Sequence, residues 1–491
     1  MKAYPLFTNS ESRALDRYAH DVLGYPQTTL MGMAALSVFH ANEDLWSTAE
    51  EIWMIVGTGG NGGDGYALAN ILHEEGHIVR IFKMDDPKRE DSQFYASLCN
   101  RAGIEINFIS ALAEVEIEVE PGSILLVDAI LGTGFQGILT EDLLEIIEWI
   151  NESSLFFYKL SLDSATGFQA GLPESHSIEA DSIEELGTRK WENIGFTIDE
   201  QIVPRYYESI GFPIRTLESS EVFSQRYYWE KADIDSILPF FKRKATSHKY
   251  TNGAALFYGG SLGMQGAILL SSSIFQHLGG GITKVYTPEE STRDLLLQDD
   301  PSRMVTVGDG SGLEMDPFFK KAKAIVVGPG LTKSPDFLKS LTMDEDQTLV
   351  IDAGAIPDLG AVFPNSGSIL LTPHAGEFER LTGVKCNSIQ SAYQVALPFC
   401  TKHNVNILFK SFVSLLVTND GLCFVWESPN AMLATMGTGD LLTGIIARFL
   451  SIGHDIPNSV YFALSFLDSV REMPETYPTA GDMLKYLKGK L

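Results

Sequence analysis

The chain has little cysteine and little positive charge. Its 491 residues hold four cysteines, Cys99, Cys386, Cys400 and Cys423, scattered and without a CxxC pair. That spacing offers neither a disulfide framework nor a zinc site, and it fits a reducing compartment. Lysine and arginine total 36 against 64 aspartate and glutamate, a net charge of −28. Nucleic acid and anionic lipid both reward basic patches, so this balance argues against either as a partner. It does not exclude a nucleotide, which a few backbone N–H groups at one helix end can hold. No run approaches roughly 18 uninterrupted apolar residues, so no helical membrane span is expected. Met1 to Ser10 lacks a basic region followed by an apolar core, which predicts no signal peptide and a cytoplasmic location. Low-complexity segments and short repeats are also missing.

What is present is a soluble composition, 44% hydrophobic and 20% charged, in a chain too long for one ordinary core. Two domains follow as the expectation. Thr8-Asn9-Ser10-Glu11 has the form of a capping box before a helix carrying Leu15, Tyr18, Ala19 and Val22. Ile52–Val56 reads as a buried strand, 57–65 as a Gly-rich loop, 66–75 as a helix and 79–82 as the next strand, together a βαβ unit. Strands are also predicted at 124–127 and 156–162, each running into a loop with Asp and Gly. In open α/β sheets ligands sit outside the carboxyl ends of the strands, so these loops mark a site.

Between 226 and 246 the pattern weakens and Lys242, Arg243 and Lys244 cluster, which places a boundary near 225 and domains at 1–224 and 225–491. The chain then restarts with strand 254–258, a Gly-rich loop, helix 265–278 and a strand near 282–286. Further strands are predicted at 324–327, 348–351, 368–371 and 407–409, and the last helices near 441–450 and 458–470. Both halves read as α/β.

Thr435-Met436-Gly437-Thr438-Gly439-Asp440 immediately precedes the apolar helix 441–450. Glycines let backbone N–H groups converge, and the helix dipole adds positive potential, making an anion hole suited to a transferring phosphoryl group. Asp440 is placed to take a proton from a hydroxyl nucleophile, or merely to cap the helix. Four other segments accompany it at strand ends: Gly259-Gly260-Ser261, Gly328-Pro329-Gly330, Asp352-Ala353 and Thr372-Pro373-His374-Ala375-Gly376-Glu377. Lys410 ends a fifth strand.

Those segments, with His248-Lys249, resemble the NAD(P)H-hydrate dehydratase family over about residues 248–470. The resemblance implies a ribokinase-like three-layer α/β domain that uses ADP or ATP, with Mg²⁺, to dehydrate the S epimer of hydrated NADH or NADPH. It implies phosphoryl transfer to the hydrate hydroxyl followed by loss of phosphate. Matched by motif, Asp440 is the base and a substrate contact. Lys410, Ser411, Phe412, Val413 and Ser414, with Gly437, Thr438 and Gly439, line the nucleotide site, and Ala267, Gly330 and His374 contact the hydrate. Met436, Ser411 and Gly354 depart from the family pattern.

In the first half, Gly57, Gly59 and Gly62 satisfy GxGxxG, a dinucleotide fingerprint that is weak alone. The loop, with Asp128-Ala129-Ile130-Leu131-Gly132-Thr133-Gly134 and Asp163-Ser164-Ala165-Thr166-Gly167, better resembles the NAD(P)H-hydrate epimerase family, usually fused ahead of the dehydratase. That resemblance implies a Rossmann-like three-layer α/β domain with a K⁺ ion on Asn61, Asp128 and Thr166. It implies substrate contacts from Gly60, Asn61, Gly62, Gly63 and Asp64, from Gly132, Thr133, Gly134, Phe135 and Gln136, and from Asp163, which serves as acid/base. Gly60 replaces the first of two adjacent asparagines, Ala165 replaces a proline, Gly32 an acid, and Ile183-Glu184-Glu185 a threonine- and phenylalanine-rich strand.

The implied whole is a bifunctional repair enzyme, a homo-oligomer acting on NADH or NADPH hydrates with an adenine nucleotide. Two other readings stay open on the sequence. One is a dehydratase whose first domain is a non-catalytic binding or scaffold module. The other is a ribokinase-like kinase of a small alcohol such as a vitamin precursor.

Overall fold

In the computed structural model the described residues are 1–112, 119–132, 135, 137–169, 176–211, 224–364 and 367–491. They form two compact units: Pro5–Gln225, and Arg226–Leu491 together with Met1–Tyr4. The four N-terminal residues count with the second unit because Lys2 is bonded there. Its carbonyl accepts from the Glu230 N–H at 3.2 Å, and its N–H donates to the Tyr461 hydroxyl at 3.2 Å. Nothing local in the sequence announces such distant partners.

The first unit is built on seven strands in the order Arg205–Glu208, Ser182–Leu186, Phe156–Leu162, Ile124–Ala129, Glu51–Val56, Val79–Lys83 and Glu105–Phe108. All six pairings are parallel. Every residue of Glu51–Val56 and Ile124–Ala129 is buried. Central strands covered on both faces read as apolar runs rather than alternations, which is why the sequence exposed them. The Thr8 capping box is present, with Thr8 Oγ1 accepting from Glu11 N–H at 3.2 Å and Glu11 Oε2 accepting from Thr8 N–H at 2.7 Å.

One expectation needs correction here. The helix after Glu51–Val56 spans Gly60–Glu74, beginning six residues before the expected Tyr66. Glycine is a poor helix former, so a Gly-rich stretch reads as loop. Tertiary contact overrides that preference. A Cβ on Gly62 would lie 2.0 Å from the Gly57 carbonyl oxygen, and one on Gly63 would lie 2.4 Å from both Met31 Cε and Ser92 Oγ. The helix end lies so close to its neighbours that only glycine fits.

The second unit carries the strands Met304–Val307, Ile282–Thr287, Ala254–Tyr258, Ala324–Val327, Thr348–Ile351, Ser368–Leu371 and Asn406–Phe409, adjacent in that order and parallel. Val413–Val417 and Cys423–Glu427 then extend the sheet antiparallel. Arg226–Trp229, in the region where the sequence pattern weakens, pairs parallel with Cys423–Glu427. Behind the sheet runs the helix Thr438–Ser451, buried at every position from Leu441 to Ser451. A helix apolar all round belongs in a core. Its one cation, Arg448, donates through Nε to the Leu278 carbonyl at 2.8 Å and through Nη2 to the Phe240 carbonyl at 3.0 Å, while Nη1 is buried without a partner among the described residues.

Candidate functional sites

In the second unit, strand ends bring distant segments together. The Gly260 N–H donates to the Pro329 carbonyl at 2.9 Å, and the Ser261 N–H to the Gly330 carbonyl at 2.8 Å. Gly330 has φ +70°, and a Cβ there would lie 2.3 Å from Met264 O and 3.2 Å from Ala267 Cβ. The expected substrate contacts Gly330 and Ala267 therefore lie side by side.

Asp352, just past the strand Thr348–Ile351, organises the other side. It is 2% exposed and accepts from Lys410 Nζ at 2.8 Å, Thr372 Oγ1 at 2.7 Å and Thr443 Oγ1 at 3.0 Å. Burial favours its protonated form, but the Lys410 ammonium and the two hydroxyls outweigh burial and hold the carboxyl below its ordinary value. A Cβ on Gly439 would sit 3.5 Å from Lys410 Nζ, so the lysine reaches the N-terminal turn of Thr438–Ser451. Gly437 precedes that helix at φ +95°, in the left-handed region that glycine adopts freely. The helix begins at Thr438, so Asp440 lies inside the first turn. Burial, reinforced by the nearby Asp352 charge and opposed by Lys410, pushes Asp440 up to about 7. A carboxylate poised there can accept a proton near neutral pH.

The remaining expected residues are distributed unevenly. His374 pairs with Lys410 as an isolated bridge, and its Nδ1 caps the helix Ala375–Thr382 by accepting from the Gly376 N–H at 3.0 Å. Ser411 Oγ turns back to the Val413 carbonyl at 2.6 Å, while Phe412 is 56% exposed. Val413 and Ser414 bury their side chains, so Val413 has only backbone groups to offer a ligand. The sequence reading quoted Asp352 without assigning it a role; its signal was an acid directly after a fully apolar strand.

The first unit holds an open-mouthed cavity of about 780 Å³. Of the residues expected there, Gly60, Asn61, Asp64, Gly132, Phe135 and Asp163 line it. Gly62 and Gly63 are instead packed against Gly57, Met31 and Ser92. Thr133, Gly134 and Gln136 lie outside the described residues.

Asp128 and Thr166 stand behind the wall, both fully buried. Asp128 accepts from Thr166 Oγ1 at 2.6 Å, Thr166 N–H at 2.8 Å, Ser161 Oγ at 2.8 Å and Ile130 N–H at 3.2 Å. Burial nonetheless raises its pKa. Asn61 is 9% exposed, and both polar atoms of its amide are buried without a partner among the described residues. A buried orphan amide is costly and marks a place where a ligand would be satisfied.

Asp163 adopts φ +68° and forms an ion pair with Lys190, Nζ to Oδ1 2.7 Å. Lys190 is 2% exposed, and its ammonium also donates to the carbonyls of Leu186 and Thr188 and to the Thr188 hydroxyl. The acidic strand at 182–186 supports this pair. Glu185 accepts from Lys190 N–H at 3.2 Å and from Asn193 Nδ2 at 3.0 Å, and Asn193 also donates to the Asp163 carbonyl at 3.0 Å. Gly32 is explained likewise: a Cβ there would lie 2.4 Å from the Tyr95 hydroxyl, which donates to the Thr28 carbonyl. Lys190, Asp16 and Arg89 also line the cavity and escaped the sequence reading, since none sits in a Gly-rich strand-end motif.

Comparison with known proteins follows the same division. The profile of the NAD(P)H-hydrate dehydratase family matches residues 255–469, and that of the YjeF-related protein N-terminus matches 27–190. The bifunctional NAD(P)H-hydrate repair enzyme Nnr of Thermofilum pendens is 26% identical over 98% of this chain and 92% of its own length. Its counterpart in Coxiella burnetii is 28% identical over 91% and 90%. The crystal structure of ADP/ATP-dependent NAD(P)H-hydrate dehydratase from Bacillus subtilis with ATP and Mg²⁺ covers 51% of this chain and 93% of that one, at 28% identity and TM-score 0.44. With both domains present along nearly its full length, the chain belongs to the family of bifunctional NAD(P)H-hydrate repair enzymes.

Proposed function

We propose that the second unit dehydrates the S epimer of hydrated NADH or NADPH at the expense of ADP or ATP, and that the first unit interconverts the R and S epimers. The observation that carries the reading is Asp440, held in the first turn of a buried helix beside the Lys410–Asp352 pair and raised to about 7. The backbone N–H groups of Gly437, Thr438 and Gly439 gather the charge of the transferring phosphoryl group, as helix N-termini do. Asp440 takes the proton of the hydrate hydroxyl as that oxygen attacks phosphorus. Phosphate then leaves with the C–O electron pair, the neighbouring ring carbon gives a proton to water, and the electrons of that C–H bond restore the ring double bond of the dihydropyridine. Lys410 neutralises nucleotide phosphate, and Gly330, Ala267 and His374 position the hydrate.

Among the described residues no three His, Cys, Asp or Glu side chains gather as a metal cage. Asp352 is engaged by Lys410, Thr372 and Thr443, with no cage of acids or histidines gathered around it among the described residues. Mg²⁺ therefore arrives with the nucleotide phosphates, the usual habit of this ion. In the first unit the orphan amide of Asn61, with oxygens of Asp128 and Thr166 behind it, suits K⁺, whose charge would fix the surrounding loops. A small-alcohol kinase leaves the first unit without a role, and a scaffold role leaves the Asp163–Lys190 pair in its cavity unused. The reading also places the protein in the cytoplasm as a homo-oligomer, the latter checked by light scattering; no described helix is long and apolar enough to cross a membrane.

The test is turnover of purified S-hydrate with Mg²⁺ and either nucleotide. Release of one dihydronicotinamide and one phosphate per nucleotide consumed supports the reading, and no release with either nucleotide overturns it.

A further inference from the structure

We propose that Asp16 exchanges the proton of the epimerising hydroxyl, in a cavity where Asp163 is tied to Lys190 in an ion pair. This rests on the epimerase reading of the first unit and names a residue that no strand-end motif contains.

Asp163 is committed to its partner. Its carboxylate lies 2.7 Å from a lysine ammonium that is almost wholly buried and has its remaining donors on carbonyls and one hydroxyl. An acid in so close a charge-assisted pair gives up its partner only at great cost, so it serves better as a fixed charge than as a proton shuttle. Asp16 is the opposite case. It sits on the helix Asn9–Asp21, opens into the same cavity, and forms no hydrogen bond or ion pair among the described residues. The charged groups that share the cavity with it are Arg13, Arg17, Arg89, Lys190, Asp64, Asp91 and Asp163. Its side chain is exposed to the cavity, where partial loss of solvent to the surrounding wall, opposed by Lys190 and reinforced by Asp163, pushes its carboxyl up to about 6. A group titrating there gives and takes a proton with similar ease near neutrality. Asp64 is also raised, well above the ordinary value, by burial and by Asp163 and Asp16, which suits it to holding the substrate rather than cycling.

The chemistry then balances. Water added across an enamine places the hydroxyl on the carbon bonded to the ring nitrogen. Asp16 gives its proton to that hydroxyl, the C–O bond breaks with its electron pair leaving on oxygen, and water departs. The nitrogen lone pair forms a C=N bond, and the resulting cation is matched by the Asp163 carboxylate. Water re-adds to the opposite face, the C=N pair returns to nitrogen, and the proton released goes back to Asp16. Nothing is oxidised or reduced.

The experiment follows the exchange of purified R-hydrate into S-hydrate by chromatography, on the full chain without nucleotide so that dehydration is silent. Asp16→Asn lowers kcat about 100-fold or more with little change in KM, and Asp16→Glu recovers part of the loss. The wild-type rate inflects near pH 6, and that inflection is missing in Asp16→Asn. Dehydration of S-hydrate after nucleotide is added, with the thermal melt, shows that the variants are folded. A wild-type chain that does not speed the exchange overturns the epimerase reading and this inference together. A wild-type chain that does, with Asp16→Asn within about threefold of it, overturns this inference alone. So does a loss confined to KM.

Discussion

Lys410 and Asp352 come from two different strand ends and meet at 2.8 Å, with the lysine also reaching the first turn that carries Asp440. The pair sets the electrostatics of the second site from both sides. Asp352 raises Asp440 and Lys410 lowers it, so this carboxyl is tuned by two opposed neighbours after burial.

Replacing Asp440 by Asn removes the proton acceptor while keeping shape and helix. Dehydration falls by about 100- to 10,000-fold, and nucleotide affinity, measured by calorimetry, stays close to wild type.

The pH profile reports the same group. Asp440 acts when ionised, and its pKa is raised to about 7, so kcat/KM rises with pH and levels above about 7. Asp352→Asn removes the second cause of the rise and leaves Lys410 unopposed. The midpoint of the acid limb therefore moves to lower pH, read from initial rates between pH 5 and 9.

The first unit depends on Lys190. Replacing it by Met leaves the Asp163 charge without its partner, which costs about 3–5 kcal/mol for a buried pair. Chemical denaturation should show a loss of that order, while breaking an exposed pair such as Lys339–Asp336 leaves stability essentially unchanged.

Glu184 makes a contribution of the other sign. It is 1% exposed, and burial, offset in part by a hydrogen bond from Asn42, raises it to about 7 from an ordinary 4.5. The folded state binds this proton more tightly than the unfolded one, so stability falls as pH rises from 4.5 towards 7 and is flat above. Glu184→Gln removes that decline. The variant should gain about 1–2 kcal/mol over wild type at pH 8 and little at pH 4, by denaturation at both.

Two glycines, Gly59 just before the helix Gly60–Glu74 and Gly62 inside its first turn, separate open space from close approach. A Cβ at Gly62 would lie 2.0 Å from the Gly57 carbonyl, whereas one at Gly59 meets nothing within 4 Å. Gly62→Ala destabilises by about 1–3 kcal/mol or more, and Gly59→Ala stays within about 0.5 kcal/mol.

How much of this was legible in the sequence depended on what kind of signal each residue carries. The strands Ala254–Tyr258, Ala324–Val327, Thr348–Ile351 and Ser368–Leu371 were readable because buried parallel strands are short apolar runs. The GTGD turn was readable because glycines before an apolar helix are uncommon without a reason. Two helix starts were placed late, at Gly60 and Thr438, because glycine propensity hid a packing requirement. Lys190 and Asp16 were invisible: a lysine in the two-residue strand Arg189–Lys190 and an acid on an amphipathic helix acquire meaning only when folding brings them to Asp163.

The most direct test of the whole account uses an equilibrated mixture of R- and S-NADH hydrate with the full chain, Mg²⁺, K⁺ and ADP or ATP. The early return of dihydronicotinamide absorbance is followed, because the epimers also exchange slowly unaided. Two working sites predict full recovery in one rapid phase. Recovery of the S fraction alone, with a slow R tail, contradicts the epimerase half, and no recovery with either nucleotide contradicts repair altogether.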